Sequence, residues 1–287
     1  MDKDVLAVIS TATCKFSKGQ KKIAGYIMEN YDKAAFMTAG KLGATVGVSE
    51  STVVRFASDL GYGGYPVMRK AMQEMIKSRL TSVQRIAVAR DLITEDNIPA
   101  SVLTSDIDKI KHTLQELDHE SFDRAVDEIV KAEHIYILGL RSSSALANFM
   151  GFYMNLIFPN VHVVNENSSI EIFEQIMRIG KNDVFIAISF PRYSRRTIKA
   201  MQFALDNGAE VIGITDNETS LLAQTANIKL YAKSDMVSFL DSLVAPLSLI
   251  NALIAATAAK ANGDLAAKFE RLENIWEAYD VYEKNIR

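Results

Sequence analysis

From about residue 120 onward the chain alternates two periodicities. Short apolar runs recur, with helical stretches of about 10–15 residues between them. The runs are His134–Leu138, Val161–Val164, Asp183–Ser189, Glu210–Thr215 and Ile228–Ala232. Antiparallel strands can be joined by a tight turn, whereas parallel strands need a crossover long enough to hold a helix. Runs apolar on both faces with helices between them therefore predict a parallel sheet covered on each side. The expected fold of this part is α/β, with five parallel strands flanked by helices. A long helix from about Val237 to Lys260 and a last one over about 264–285 follow.

Residues 17–77 lack that alternation and read as helices only. Ser17 with Gln20 three residues later fits a capping box. Ile23, Tyr26 and Ile27 follow at helical spacing. Further helices are predicted near Thr38, from Ser49 to Gly61, and over about 67–77. Between Thr38 and Leu60, Leu42 and Val46 are apolar four residues apart. Gly47 sits at the turn, where positive φ is needed. Val48 anchors the turn and Ser49 caps the next helix. Val53, Phe56, Ala57 and Leu60 share the inward face, and Gly43 is small enough for close helix approach. This pattern predicts an all-α helix-turn-helix, whose second helix can enter a DNA major groove.

The outward face of that second helix carries Ser51, Thr52, Arg55 and Ser58, with Ser49 at its start. Hydroxyls there can reach phosphates or base edges, and Arg55 can hold a phosphate or pair with guanine. Glu50 opposes close phosphate contact at that point. Charge agrees with a polyanion partner. Residues 1–80 carry 12 Lys+Arg against 7 Asp+Glu, a net +5. Residues 81–287 carry 20 against 28, a net −8. A small basic unit joined to a larger acidic one suggests two different tasks. Residues 78–110 read as a helical connector, interrupted by the polar stretch from Thr94 to Pro99.

Several classes are set aside. Cys14 is the only cysteine, so neither an intramolecular disulfide nor a cysteine-based zinc site is expected. The four histidines, His112, His119, His134 and His162, show no ligand spacing, and no metal or cofactor is expected. The charged start, Met1 to Asp4, leads into no signal-like apolar region. The uncharged run from Ser242 to Ala259 contains Pro246, Ser248, Asn251 and Thr257, which suits a buried core helix better than a membrane span. A cytoplasmic protein without membrane contact is expected.

In an open parallel sheet, ligands bind beyond the carboxyl ends of the strands. Two such ends are rich in hydroxyls: Gly139-Leu140-Arg141-Ser142-Ser143-Ser144 and Ser189-Phe190-Pro191-Arg192-Tyr193-Ser194-Arg195-Arg196-Thr197. Each leads into a helix, whose first N–H groups favour an anion. Arginines at a helix start oppose the helix dipole, which makes sense if an anion sits there. No GxGxxG or GxxxxGK[ST] occurs. The candidate ligand residues are Arg141, Ser142, Ser143, Ser189, Arg192 and Ser194, and the ligand expected is a small phosphorylated anion.

Residues 1–77 resemble the helix-turn-helix domain of the RpiR/MurR family of bacterial transcriptional regulators. The segments that carry this are Gly47-Val48-Ser49-Glu50-Ser51-Thr52-Val53-Val54-Arg55-Phe56 and Leu60-Gly61-Tyr62-Gly63-Gly64-Tyr65. Residues of about 123–262 resemble the SIS, or sugar isomerase, domain. That match rests on the Gly139 loop, on Ile188-Ser189 with Ser194 and Thr197, and on Gly208 to Asp216. The resemblance implies a regulator that binds operator DNA, senses a phosphosugar and assembles as a dimer or tetramer. The implied division is a DNA-binding domain over 1–77, a connector over 78–122, the SIS domain over 123–262 and a terminal helix over 263–287.

Two departures stand out. The second glycine of Gly-x-Gly-x-Ser is Arg141, with Ser143 after it. In Ser-x-Ser-Gly-x-Thr, Pro191 and Arg192 replace a hydroxyl and a glycine, between Ser189 and Ser194. By position Ser143, Ser189 and Ser194 still match phosphate-binding hydroxyls. No catalytic residue is assigned. The alternative is a phosphosugar isomerase or lyase on the same fold, for which Glu166, Glu171 and His162 lie near a strand end. A third reading is a DNA-binding protein whose SIS fold only oligomerises it.

Overall fold

The computed structural model describes residues 5–12, 16–77, 83–86, 97–165, 169–236, 240–261 and 265–282. It divides into two compact units. One takes in Met1–Asp106 and Asp235–Ser242, the other Ile107–Ser234 and Leu243–Arg287.

The first unit is helical: α1 (Val5–Ala12), α2 (Lys18–Glu29), α3 (Tyr31–Ala34), α4 (Ala39–Val46), α5 (Glu50–Asp59) and α6 (Tyr65–Lys77). α1 lies outside the stretch that the sequence pattern resolved. Its buried Val5 and Ile9 join the same core as Ile23, Ile27, Leu42, Val53, Phe56, Met68 and Met72. The Ser17–Gln20 capping box is formed. Phe16 packs on Phe56 with ring centroids 5.2 Å apart. Tyr65 opens α6 and is buried. Its hydroxyl donates to the carbonyls of Ala34 at 3.4 Å and Met37 at 3.1 Å. Burial pushes that phenol up to about 12, against a smaller lowering by Arg69.

The connector differs from the expected pattern where it is described. Pro99 does not interrupt a helix but stands second in α7 (Ile98–Gln115). Proline is tolerated in a first turn because its missing N–H would have no helical partner there. Residues 94–96 lie outside the described ones. In the first unit Arg85 is buried and its Nη1 reaches Asp241 Oδ2 at 2.8 Å. Ser242 Oγ donates to Asp106 at 2.6 Å, and Met236 packs on the helical core. The long helix expected from about 237 would begin on residues 237–239, which lie outside the described ones. Among the described residues that helix starts at Val244.

The second unit runs α8 (His119–Lys131), β1 (Ile135–Gly139), α9 (Ser143–Ile157), β2 (Val161–Val164), α10 (Ser169–Ile176), β3 (Val184–Ile188), α11 (Arg195–Asp206), β4 (Glu210–Thr215), α12 (Leu221–Thr225), β5 (Ile228–Tyr231), α13 (Val244–Lys260) and α14 (Leu265–Ala278). The five strands form one sheet in the order β2-β1-β3-β4-β5, all pairs parallel. β1 and β3 are buried at every position, as expected for strands covered on both faces. One core, with Ile137, Met150, Ile186 and Leu253, takes in residues of α8, α9 and α13. The other, with Leu138, Phe185, Met201 and Leu222, takes in residues of α10, α11 and α12. α13 is thus a core helix. Among the described residues no single helix is long and apolar enough to cross a membrane. The order reverses between β1 and β3, a switch point that opens a crevice at their carboxyl ends.

Candidate functional site

The α4–turn–α5 segment is fixed by backbone proximity. A Cβ placed on Gly43 would lie 2.8 Å from the Val48 carbonyl oxygen, so only glycine lets the turn lie this close. Gly47 holds φ 70° in the left-handed region, and its N–H donates to Gly43 O. Ser49 then caps α5: its Oγ accepts from Thr52 N at 3.3 Å and lies within 2.9 Å of the Ser51 hydroxyl and 2.8 Å of the Thr52 hydroxyl. Val53, Phe56 and Ala57 are buried. Gln20 Nε2 donates to Asp59 Oδ2 at 2.6 Å, tying α2 to the end of α5.

Ser49, Ser51, Arg55 and Ser58 are exposed, and Thr52 is half-buried. Ser51, Arg55 and Ser58 follow at helical spacing on one face. The Arg55 guanidinium has no ion-pair partner among the described residues. Ser58 Oγ donates to Val54 O at 3.3 Å, which leaves its lone pairs free. A Cβ on Gly40 would lie 3.2 Å from Glu50 Oε2. That carboxylate therefore sits at the first turn of α4, where a helix favours negative charge.

The two strand-end loops look alike in sequence and differ in structure. After β3, Ser189 is buried, and its Oγ accepts from Ser194 N at 3.3 Å. Ser194 caps α11, its Oγ accepting from Thr197 N at 3.4 Å. Thr197 is fully buried, and its Oγ1 has no hydrogen-bond partner among the described residues. A buried hydroxyl without a partner is uncommon and calls for an explanation. After β1, Ser143 is buried and Ser142 exposed. Ser142 precedes α9 without a side-chain cap. Here the first N–H groups are already bonded, Ser143 N to Leu140 O at 3.2 Å and Ser144 N to Arg141 O at 3.0 Å. Gly139 comes so close to the Ser143 carbonyl that no Cβ could be fitted there.

Arg141 has φ 57° and Arg192 φ 69°. Left-handed backbone costs a non-glycine residue about 1–2 kcal/mol. Both stand where the SIS pattern has glycine, so the local conformation is kept while the side chain is not. Arg192, Arg195 and Arg196 are exposed.

Sequence reasoning missed the cluster at the end of β4. Asp216 is buried and accepts from Tyr193 Oη at 2.6 Å and Asn217 Nδ2 at 2.9 Å. A charged residue directly after a continuous apolar strand was the available signal. The histidines bear on the enzymatic alternative. His162 stacks on Tyr136 with centroids 4.9 Å apart and on His134 at 5.8 Å. It pairs in register with Tyr136, the second residue of β1, so it lies toward the amino end of the sheet, away from the serine loops. Burial and then His134 hold its imidazole below the usual range, against a smaller opposite effect of Asp183. Glu166 lies outside the described residues.

Residues 3–79 match the family described as a helix-turn-helix domain of the rpiR family, and residues 128–256 match the SIS domain. The chain is 23% identical over 282 residues to the HTH-type transcriptional regulator HexR of Pseudomonas aeruginosa, covering 94% of this chain and 95% of that protein. Among solved structures, the sugar isomerase domain of an RpiR transcription factor from Sphaerobacter thermophilus is similar. Its TM-score is 0.59 at 27% identity, over 62% of this chain and 99% of that one. The Vibrio vulnificus NanR protein, complexed with ManNAc-6P, also has a TM-score of 0.59, at 22% identity over 98% of this chain and all (100%) of that one.

Proposed function

The chain belongs to the RpiR family of helix-turn-helix transcriptional regulators that carry a SIS domain, and from that membership we propose that it binds operator DNA through α5 and answers to a phosphorylated sugar. The phosphate is read at the β3–α11 loop, by Ser189, Ser194 and the first turn of α11, with Ser142 and Ser143 on the companion loop. The single observation that carries the effector site is the buried, unpartnered Thr197 Oγ1 beside two capping hydroxyls. NanR, a relative in fold, is complexed with a phosphosugar, which supports the same class of ligand here. On DNA, Ser49, Ser51, Thr52, Arg55 and Ser58 form the contact face.

The SIS unit works as a sensor and not as an isomerase. Of the three residues considered for that chemistry, Glu166, Glu171 and His162, the histidine is stacked toward the amino end of the sheet, which supports this reading. The working form is a cytoplasmic dimer or tetramer, because two recognition helices must meet half-sites about 34 Å apart. The effector acts by favouring one spacing of the two DNA-binding units over another.

A gel shift on the DNA flanking its own gene tests the reading. A specific shift that changes with a phosphosugar is expected, and no specific shift with or without metabolites would sink it. A thermal-shift screen of phosphosugars identifies the effector class, since a ligand at 100 times its Kd stabilises by about 2.7 kcal/mol. Turnover of sugar phosphates by the purified protein would revive the isomerase.

A further inference from the structure

Residues 235–236 and 240–242 belong in sequence to the connection between β5 and α13 of the second unit, and in packing to the first. The foot of this segment is pinched shut. Met236 and Asp241 form an antiparallel bridge, and Ser242 N donates to Asp235 O at 3.5 Å. A loop closed at its base and packed by its own side chains can move as one piece. Met236 packs on the helical core that also holds Val53 and Phe56 of α5, and Asp241 takes Arg85 Nη1 at 2.8 Å. The Arg85 side chain is 4% exposed and that of Asp241 20%. A charged pair taken out of water gains little stability over an apolar contact of the same size. What it supplies is a single seat, because guanidinium and carboxylate meet in few geometries.

The root of the segment is tied to the loop after β3. Tyr193 donates to Asp216 at the end of β4. Thr215, one residue earlier, donates its hydroxyl to the same carboxylate oxygen at 3.3 Å. The Thr215 carbonyl accepts from Ala232 N at 2.8 Å, just past the end of β5. Lys233 N comes next and donates to the buried Thr113 Oγ1 on α7 at 3.0 Å. Bonded contacts therefore run from the effector loop to residue 233, two residues before the segment enters the first unit.

Resting on the effector reading above, we propose that this segment is the coupling element of the regulator. The state of the loop after β3 reaches the DNA-binding unit as a seating or unseating of the segment, and the Arg85–Asp241 pair holds the seat. Coupling needs an element with two arrangements that both sites bias. A pinched segment docked by one ion pair and one apolar side chain is such an element, since few contacts separate docked from undocked. Arg85 and Asp241 are positioning residues, outside both the DNA face and the effector loop.

Coupling in binding is reciprocal, so DNA must act on the effector loop as the effector acts on DNA. The probe is therefore DNA, the fragment flanking its own gene at saturating concentration, and the readout is hydrogen exchange of the full chain. Exchange at α5 is expected to slow. Exchange over 189–197 is expected to change by about fivefold or more, the lower end of ordinary coupling. Asp241→Asn should keep the change at α5 and lose the one over 189–197. It leaves Arg85 buried and charged, so Arg85→Met combined with Asp241→Leu, which removes both charges, is measured beside it and should behave alike. No change over 189–197 in the unaltered chain, or a change that survives in the double variant, overturns the coupling and leaves the regulator standing. Loss of α5 protection in the double variant marks the pair as part of the fold alone and overturns the coupling too. No protection of α5 in the unaltered chain overturns the DNA-binding reading, and the coupling with it.

Discussion

The Tyr193 hydroxyl donates to Asp216 Oδ1 across 2.6 Å, and so fastens the loop after β3 to the end of β4. Asp216 is buried, and Asn217 Nδ2 reaches both its carboxylate and the Tyr193 oxygen, at 2.9 and 3.2 Å. A buried carboxylate is tolerable only when donors surround it. Tyr193→Phe removes one donor and keeps the ring. Hydrogen bonds to charged groups are worth about 1.5–3 kcal/mol. Because Asn217 stays, a loss of about 1.5 kcal/mol is expected, read as a lower midpoint in urea unfolding. The freed loop carries Arg192 and Ser194, so phosphosugar affinity should fall as well. An unchanged midpoint would show that Tyr193 does not hold the carboxylate.

Arg55 is exposed, without an ion-pair partner among the described residues, one turn after Ser51 on α5. Its removal should leave the fold alone and weaken operator binding. Arg55→Ala is expected to cost at least about 1 kcal/mol in operator affinity. Fluorescence anisotropy at several salt concentrations separates two modes of contact. Loss spread evenly over sequences, with the salt slope lower by about 1, marks a phosphate contact. Loss confined to the specific site marks a base contact. Unchanged affinity removes Arg55 from the interface.

The sheet was legible because its strands are continuous apolar runs. β2 and β4 fall on the residues the pattern named, and β1, β3 and β5 differ by a residue at their ends. The turn at Gly47 and the Ser49 cap were legible because their residue types are dictated by local backbone geometry. The short α3, α10 and α12 were not, since a few residues give too little periodicity to read. The excursion over 235–242 was hidden for another reason. Its place is set by Asp241 meeting Arg85, 156 positions apart, and no local pattern records a contact so distant in sequence. At the effector loops the serines were legible as caps. The conformations of Arg141 and Arg192 were not, because both side chains contradict the left-handed backbone they occupy.

Gly43 sets the close approach of α4 to the turn that follows it. A Cβ there would meet Val48 O at 2.8 Å, Ser49 C at 3.3 Å and Glu50 N at 3.4 Å. All three are backbone atoms, which cannot rotate away as a side chain could. Gly43→Ala must therefore shift the start of α5. Forcing an extra methyl group into such packing typically costs about 1–3 kcal/mol. Urea unfolding should show that loss, and operator affinity should drop beyond it because α5 is re-aimed. Gly25→Ala, where a Cβ meets nothing within 4 Å, is the control and should not destabilise. Equal stability of the two variants would refute the packing argument.

His162 gives the second unit a pH dependence whose sign is fixed. Burial first and His134 second hold its imidazole below the ordinary 6.5, with Asp183 opposing them. Folded, the group binds fewer protons than it does unfolded, so stability rises with pH. The contribution is fully present above about pH 6.5, the unfolded value, and is lost as pH falls through the lowered folded value. The His134 ring stands beside it, its Nδ1 2.9 Å from Asp183 Oδ1, so the His162 share must be isolated by substitution. His162→Phe keeps a ring against Tyr136 and removes the proton. Urea midpoints measured on both sides of pH 6.5 should fall less on acidification in this variant than in the unaltered chain. An equally steep fall in both would remove His162 as a source of the acid sensitivity.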